Sequence, residues 1–94
     1  MHMEYLCPTC HQVFQAEAEI CPHLLSFFAS LHGKKVWRIR YLHRYAYEFL
    51  SDEQFQAMVS EKPLMVSEAI CIEDFNAETC TGVNAIGKIV SILE

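Results

Sequence analysis

The first 23 residues concentrate cysteine, histidine and proline in a pattern that restricts how this chain can fold. Residues 7–10 are Cys-Pro-Thr-Cys, and residues 21–23 are Cys-Pro-His. Two thiolates separated by two residues can face one ion from a tight turn, and a structural zinc ion requires four sulfur or nitrogen ligands in a tetrahedron. A proline in the second motif can hold its Cys and His in a turn that faces the first. The spacing therefore predicts zinc as the cofactor, bound by Cys7, Cys10, Cys21 and His23.

The same segment resembles the two-Cys two-His zinc finger. That family has an aromatic residue before the first Cys, another after the second Cys, and an aliphatic residue three positions before the first His. These places, together with the ligands, are occupied by Tyr5, Cys7, Cys10, Phe14, Ile20 and His23. The family's second His has no counterpart within five residues of His23, and His32 would lie on the opposite side of a continuous helix. Cys21 is therefore the better fourth ligand, and the altered site also resembles small zinc knuckles, zinc ribbons and treble clefs.

Chain length and cysteine usage support a metal rather than disulfides. The chain has 94 residues, of which 52% are hydrophobic and 20% charged, which is typical of one folded domain. Domains this small often need a metal or disulfide for stability. The five cysteines cannot all pair within one chain, and the first residues do not resemble a signal peptide, so we expect an intracellular, cytoplasmic protein. Cys71 and Cys80 lie among apolar neighbours and are predicted to be buried structural thiols.

A catalytic role is not expected. The sequence contains no nucleophile elbow, phosphate-binding glycine loop or HExxH motif, and the acids closest to the ligands, Glu17 and Glu19, belong to no recognised metalloenzyme pattern. A thiol redox interpretation uses Cys7 and Cys10, because Cys-Pro-Thr-Cys resembles the glutaredoxin-like motif. Only six residues precede Cys7, which is too few for the strand-helix context of that motif. We therefore expect no enzyme, and no stretch of sequence is long and apolar enough to span a membrane.

Apolar spacing predicts a mainly α fold after the zinc knuckle. The run at 24–32 has helical spacing and stops at Gly33, and Ser51 with Gln54 forms a capping box that begins a helix before Pro63. Residues 34–50 fit either a strand or a helix, and their length favours the helix. Residues 64–72 are ambiguous between strand and helix. Residues 84–93 have apolar side chains at i, i+3, i+4 and i+7, which predicts an amphipathic helix.

These expectations combine into one compact domain of about four helices over residues 1–94. A zinc knuckle or β-hairpin occupies 5–23, and the helical part occupies 24–94. Residues 72–93 also resemble a helix-turn-helix loosely, with 81–84 as the turn. Their acidic residues would face a phosphate backbone unfavourably, so a plain helical hairpin is the preferred interpretation.

The net charge is −5, and the charged residues are unevenly distributed along the chain. Residues 20–47 carry five basic residues and no acid, while both flanks are acidic. On a helix, basic and aromatic side chains of this segment would share one face that could meet phosphates or anchor a protein interface. The predicted binding residues are Lys34, Lys35, Trp37, Arg38, Arg40, Tyr41 and Arg44.

Two function classes follow from the cysteine spacing and the charge pattern. The first is a small intracellular zinc-containing regulator that binds nucleic acid through the basic aromatic segment. The second is a protein-interaction adaptor or homodimeric module with a structural zinc, whose basic face meets an acidic partner or a second copy. The alternative to both function classes is that the basic aromatic segment is not a binding surface. Its arginines would then pair with acids, and its tryptophan would lie in the core.

Overall fold

A computed structural model describes residues 4–15 and 20–93 of this chain. The predicted solvated segment at Glu17 and Glu19 lies outside the described residues. Within the described residues, strands predominate over helices. The elements are β1 (Glu4–Leu6), β2 (Val13–Gln15), α1 (Pro22–Ser30), β3 (Val36–Tyr41), β4 (Glu48–Ser51), α2 (Asp52–Glu61), a 3₁₀ helix (Pro63–Met65), β5 (Val66–Asn76), β6 (Thr81–Val83) and β7 (Ile89–Ser91). The predicted mainly α fold with about four helices is therefore wrong.

The strands form two antiparallel sheets that are joined at one point. β1 and β2 form a hairpin, and the larger sheet has the strand order β4-β3-β5-β6-β7. The hairpin attaches just ahead of β4, where the Leu6 N–H donates to the Tyr47 carbonyl and the Tyr47 N–H donates to the Glu4 carbonyl, each at 2.8 Å. The predicted hairpin at the N-terminus is present, and it continues the edge of the larger sheet.

Other elements pack on both faces of strand β3. The ring of Trp37 stacks on Phe55 of α2 with centroids 3.7 Å apart. On the other face, Val36 is buried in a core shared with the hairpin and α1. Trp37, Ile39 and Tyr41 lie on one face of β3, and Arg38 and Arg40 lie on the other, so the sequence has the alternation of a strand although other elements pack on both faces.

An aromatic cluster holds the hairpin and α1 against the sheet. Phe28 of α1 lies 5.1 Å from Phe49 and 5.3 Å from Phe75 between ring centroids, and Tyr5 of β1 lies 5.4 Å from Phe49. These four rings are essentially inaccessible to solvent. Each pair contributes roughly 0.5–1.5 kcal/mol beyond the area it buries. The cluster therefore fixes the position of the two elements that carry the predicted zinc ligands.

α2 begins and ends where local sequence signals place it, whereas α1 begins two residues before the predicted 24–32 and ends at Ser30. The Ser51 side chain accepts from the Gln54 N–H at 3.2 Å, and the Gln54 side chain accepts from the Ser51 N–H at 3.0 Å, which confirms the capping box. α2 ends at Glu61, just before Pro63. α1 begins with Pro22 at its first position, where a missing N–H is tolerated.

Residues 34–50, for which a helix was favoured, form β3, a loop and β4. Gly33 has φ of +77° and donates its N–H to the Phe75 carbonyl at 2.7 Å. The chain therefore turns out of α1 directly into pairing with β5. Trp37 pairs with Leu50 on one side and with Cys71 on the other. This pairing across the sheet outweighs the local helical periodicity.

The predicted C-terminal helix and the helical hairpin preferred for residues 72–93 are also wrong, and so is the disfavoured helix-turn-helix alternative, because this segment contains strands. Asn84 closes the turn between β6 and β7, where its side chain accepts from the N–H groups of Ile86 and Lys88 at 3.1 and 2.9 Å. Gly87 completes that turn with φ of +82°. Ile86 and Ile89 are each 76% exposed, so the apolar spacing of this segment does not mark a buried helical face.

Candidate metal centre

The loop between β1 and β2 brings the first two thiols together. The Cys7 N–H donates to the Gln12 carbonyl at 3.0 Å, and the His11 N–H donates to the Cys7 carbonyl at 3.0 Å. His11 adopts a left-handed conformation with φ of +59°, which closes the loop after Cys10. The backbone is thus folded tightly enough for both cysteines to face one point.

The N-terminus of α1 supplies the other two ligands. Cys21 is the N-cap residue, and its carbonyl accepts from the N–H groups of Leu24 and Leu25 at 3.0 and 3.1 Å. Pro22 restricts the backbone between Cys21 and His23. His23 consequently lies in the first turn of α1, on the same side as Cys21.

The four predicted ligands converge in space. One ligand atom from each of Cys7, Cys10, Cys21 and His23 lies within 4.8 Å of all the others. The sulfur atoms of Cys10 and Cys21 are 3.5 Å apart, and the Cys21 sulfur is 3.5 Å from Nδ1 of His23. Tetrahedral zinc with ordinary bond lengths would separate two sulfurs by about 3.8 Å, and a sulfur and a nitrogen by about 3.5 Å. The donor set and its spacing therefore fit a zinc ion.

The thiols differ in acidity because their hydrogen bonds differ. Burial acts to raise the pKa of Cys21, but hydrogen bonds from the His23 backbone, the Cys10 thiol and the Leu24 backbone outweigh it and lower the pKa to about 6. At Cys10, a backbone hydrogen bond from Gln12 lowers the pKa, but the Cys7 thiol, burial and the neighbouring Cys21 together raise it. The pKa of Cys21 therefore lies below that of an ordinary thiol, and the pKa of Cys10 lies above it.

The site is supported by the aromatic residues that resemble those of the zinc finger. Tyr5 stacks with Phe14 across the hairpin at 5.8 Å between centroids, and its hydroxyl donates to the carbonyl of Leu93. Cys7 and Tyr5 are both fully buried, whereas His23 is exposed. The ligand cluster therefore lies at the boundary between the core and the surface, with its protein side fixed by packing.

The charged residues of the predicted binding segment do not form one surface. Arg38 is only 6% exposed, and its guanidinium donates to the Ile92 carbonyl at 2.9 Å. Three other basic residues pair with acids of β4 and β5. The pairs are Arg40–Glu68 at 3.5 Å, Arg44–Glu48 at 3.5 Å and Lys35–Glu73 at 3.6 Å. Lys34 is exposed beside β3.

The aromatic residues of that segment are separated from most of its arginines. The Trp37 indole N–H donates to Asp52 at 3.0 Å on the α2 face, whereas Arg38 and Arg40 project from the opposite face of β3 and contact the ring of Tyr47. Tyr41 is half-buried, and the Arg44 guanidinium lies 6.0 Å from its ring. The single helical face predicted for these side chains does not exist.

Tyr47 is a residue that sequence reasoning missed. Its backbone joins the zinc hairpin to the larger sheet, and its hydroxyl donates to Glu68 at 2.8 Å. No sequence signal marks it, because its role depends on pairing between β1 and a segment about forty residues away.

The cysteines outside the cluster are less acidic than a free thiol. Burial raises the pKa of Cys80, which is 8% exposed as predicted for a structural thiol. Burial also raises the pKa of Cys71, which is half-buried beside Trp37. A raised pKa keeps these sulfurs protonated, and a protonated thiol is a poor metal ligand and nucleophile.

Comparison with protein-family models, curated proteins and solved structures finds no match to this chain. In the described part of the chain, neither helix has the length and apolar character needed to cross a membrane.

Proposed function

We propose that this chain is a zinc protein in which the metal has a structural role and the fold acts as a protein-interaction module. The observation that carries the proposal is the convergence of Cys7, Cys10, Cys21 and His23 from two different elements. Four protein ligands complete a tetrahedron, which is the arrangement of structural rather than catalytic zinc. The ion would tie the β1-β2 loop to the N-terminus of α1.

The contribution of the metal to stability should be large. Structural zinc sites in small peptides bind with apparent free energies of about 10–16 kcal/mol, while a domain's net stability is about 5–15 kcal/mol. The hairpin and α1 also supply Tyr5, Leu24 and Phe28 to the buried core. Loss of the metal should therefore loosen the core as well as the knuckle.

The contacts of the basic segment argue against nucleic-acid binding. Nucleic-acid binding requires several free cations to displace counterions from phosphates. Here Arg40, Arg44 and Lys35 have acidic partners. Burial of Arg38 removes a further cation from the surface. We expect no duplex or single-stranded nucleic acid to bind with a steep salt dependence, and a binding titration from low to physiological salt tests this directly.

Metal content tests the zinc proposal. The full chain purified under reducing conditions should contain one zinc per molecule by mass spectrometry, and Cys10→Ser and Cys21→Ser should each lose it. Cys71→Ser is the matched control, because Cys71 lies outside the cluster, and it should retain the metal. A strong chelator at pH 7 should lower the thermal midpoint and change the circular dichroism spectrum. A chain that purifies without zinc, or that is unaffected by the chelator, would contradict the proposal.

A further inference from the structure

Two of the three sulfurs in the candidate metal centre are open to solvent. Cys10 and Cys21 are both partly exposed, whereas Cys7 is fully buried. Cys10 lies in the loop between β1 and β2, Cys21 is the N-cap of α1, and their sulfurs are 3.5 Å apart. A dissolved oxidant can therefore reach two neighbouring sulfurs that belong to different elements of the fold.

These two sulfurs lie close to bonding distance. A disulfide bond is about 2.05 Å long, so the sulfurs of Cys10 and Cys21 have to approach by about 1.5 Å to form one. Rotation of the two side chains can supply this approach. The backbone hydrogen bonds that fold the β1-β2 loop and begin α1 do not have to break, because none of them involves a cysteine side chain.

We propose that Cys10 and Cys21 form an oxidation site, at which a disulfide replaces the zinc ion when the protein meets a hydroperoxide. The proposal rests on the zinc site proposed above, because the thiolate form that binds zinc is also the nucleophilic form of cysteine. It selects a different pair from Cys7 and Cys10 of the Cys-Pro-Thr-Cys motif. Burial of Cys7 shields that sulfur from the oxidant.

The reaction consumes one hydroperoxide for each disulfide. One thiolate of the pair attacks a peroxide oxygen, the O–O bond breaks, and a sulfenic acid and a hydroxide form. The second thiolate then attacks the sulfenic sulfur, which forms the S–S bond and releases a second hydroxide. Two electrons pass from the sulfurs to the peroxide, and with hydrogen peroxide the two hydroxides take up two protons to give water.

The disulfide would keep the hairpin joined to α1 after the metal is lost. Only Cys7 and His23 remain as ligands, and two ligands do not complete the tetrahedron of a structural zinc site. A disulfide between Cys7 and Cys10 would instead lie within one loop and leave α1 untied. Because one covalent bond replaces four bonds to the ion, the oxidised chain should melt below the zinc-loaded chain and above the reduced chain without metal.

Peroxide treatment of the zinc-loaded full chain tests this proposal. Hydrogen peroxide should release one zinc ion per chain, measured with a zinc-binding dye, and a thiol reductant with added zinc should restore the loaded form. Cleavage after glutamate separates residues 5–17, which contain Cys7 and Cys10, from residues 20–48, which contain Cys21. Mass spectrometry without reduction should find these two peptides joined, with fragmentation placing the bond at Cys10.

Cys71→Ser is the matched control, because Cys71 lies outside the cluster, and it should release zinc and form the same disulfide at an unchanged rate. A loaded chain that keeps its zinc in peroxide would overturn the oxidation site and leave the structural zinc intact. A bond within residues 5–17, a bond from Cys7 to Cys21, or oxidised sulfurs without a bond would also overturn it. A chain that purifies without zinc would refute both proposals.

Discussion

Gly82 provides a sharp test of the pairing between β5 and β6. It is buried in β6, and a Cβ atom added there would overlap Cγ2 of Ile72 and lie 2.8 Å from the carbonyl oxygen of Glu73. Ile72 is 1% exposed, and the Glu73 oxygen belongs to the backbone, so neither neighbour can move freely. Gly82→Ala should therefore force a shift in the sheet.

The expected loss is at the upper end of the range for overpacking, about 3 kcal/mol of unfolding free energy. For a domain of this size, that loss lowers the thermal midpoint by roughly 10–20 °C. Gly87→Ala is the matched control, because a Cβ there meets no atom within 4 Å and only its φ of +82° is unfavourable. It should lose only about 1 kcal/mol.

A double-mutant cycle shows whether the predicted overlap causes the loss. Ile72→Ala removes Cγ2 and, as a truncation in the core, should cost about 2–5 kcal/mol alone. Combined with Gly82→Ala, it should cost at least about 1 kcal/mol less than the sum of the two single changes, because the new methyl group occupies part of the vacated space. Chemical unfolding of the four proteins measures this coupling. If Gly82→Ala is as stable as the wild type, or the effects are additive, the assigned contact between β5 and β6 is wrong.

Three further predictions concern local features. Ser51→Ala removes the N-cap of α2 and should lower the unfolding free energy by about 1 kcal/mol, as measured by denaturant titration. The hydrogen bond from Trp37 lowers the pKa of Asp52 below 3.8, so Asp52 stabilises the fold above that pH and the contribution is lost as pH falls through the lowered value. Trp37→Phe should therefore raise this pKa in an NMR titration, and an unchanged pKa would disprove the cause. His11→Gly should leave stability unchanged or raise it by up to about 1 kcal/mol, because His11 has a left-handed φ, whereas His11→Val should lower the thermal midpoint.

The parts of the structure that were predictable from sequence depend on local chemistry. The ligand set follows from spacing within 23 residues, and the fold brings those four side chains together. The start of α2 follows from Ser51 and Gln54, which satisfy each other's backbone groups without help from the rest of the fold. The end of α2 follows from Pro63. Each of these signals acts over a few residues, so its meaning does not depend on tertiary contacts.

Two strand segments were predicted as helices because their local sequence fits both structures. In β3, Trp37, Ile39 and Tyr41 alternate with two arginines, which fits a strand, but the apolar residues of the longer segment 34–50 also fit one face of a helix, and the length of the segment was given more weight. In the segment 84–93 the apolar spacing matched a helix by coincidence, since Ile86 and Ile89 are exposed. The stronger signal there was Asn84 followed by Gly87, a pair suited to a tight turn, with β-branched residues after it. Giving turn chemistry priority over periodicity would have favoured β7.

The charge asymmetry of the sequence has an explanation in the strand order. The basic strand β3 lies between β4 and β5, and Arg40 bonds to Glu68 of β5. Arg44 lies in the loop after β3 and bonds to Glu48, four residues later in the chain. Exposed pairs of this kind contribute only about 0–1 kcal/mol each, so they do not determine the topology. Their main effect is on the surface, because the acids neutralise the cations that an external polyanion would need. A basic segment between acidic flanks in a sequence therefore indicates an external anionic partner only when the fold keeps the basic and acidic segments apart. In this chain, antiparallel pairing places the basic strand β3 beside the acidic residues of β5.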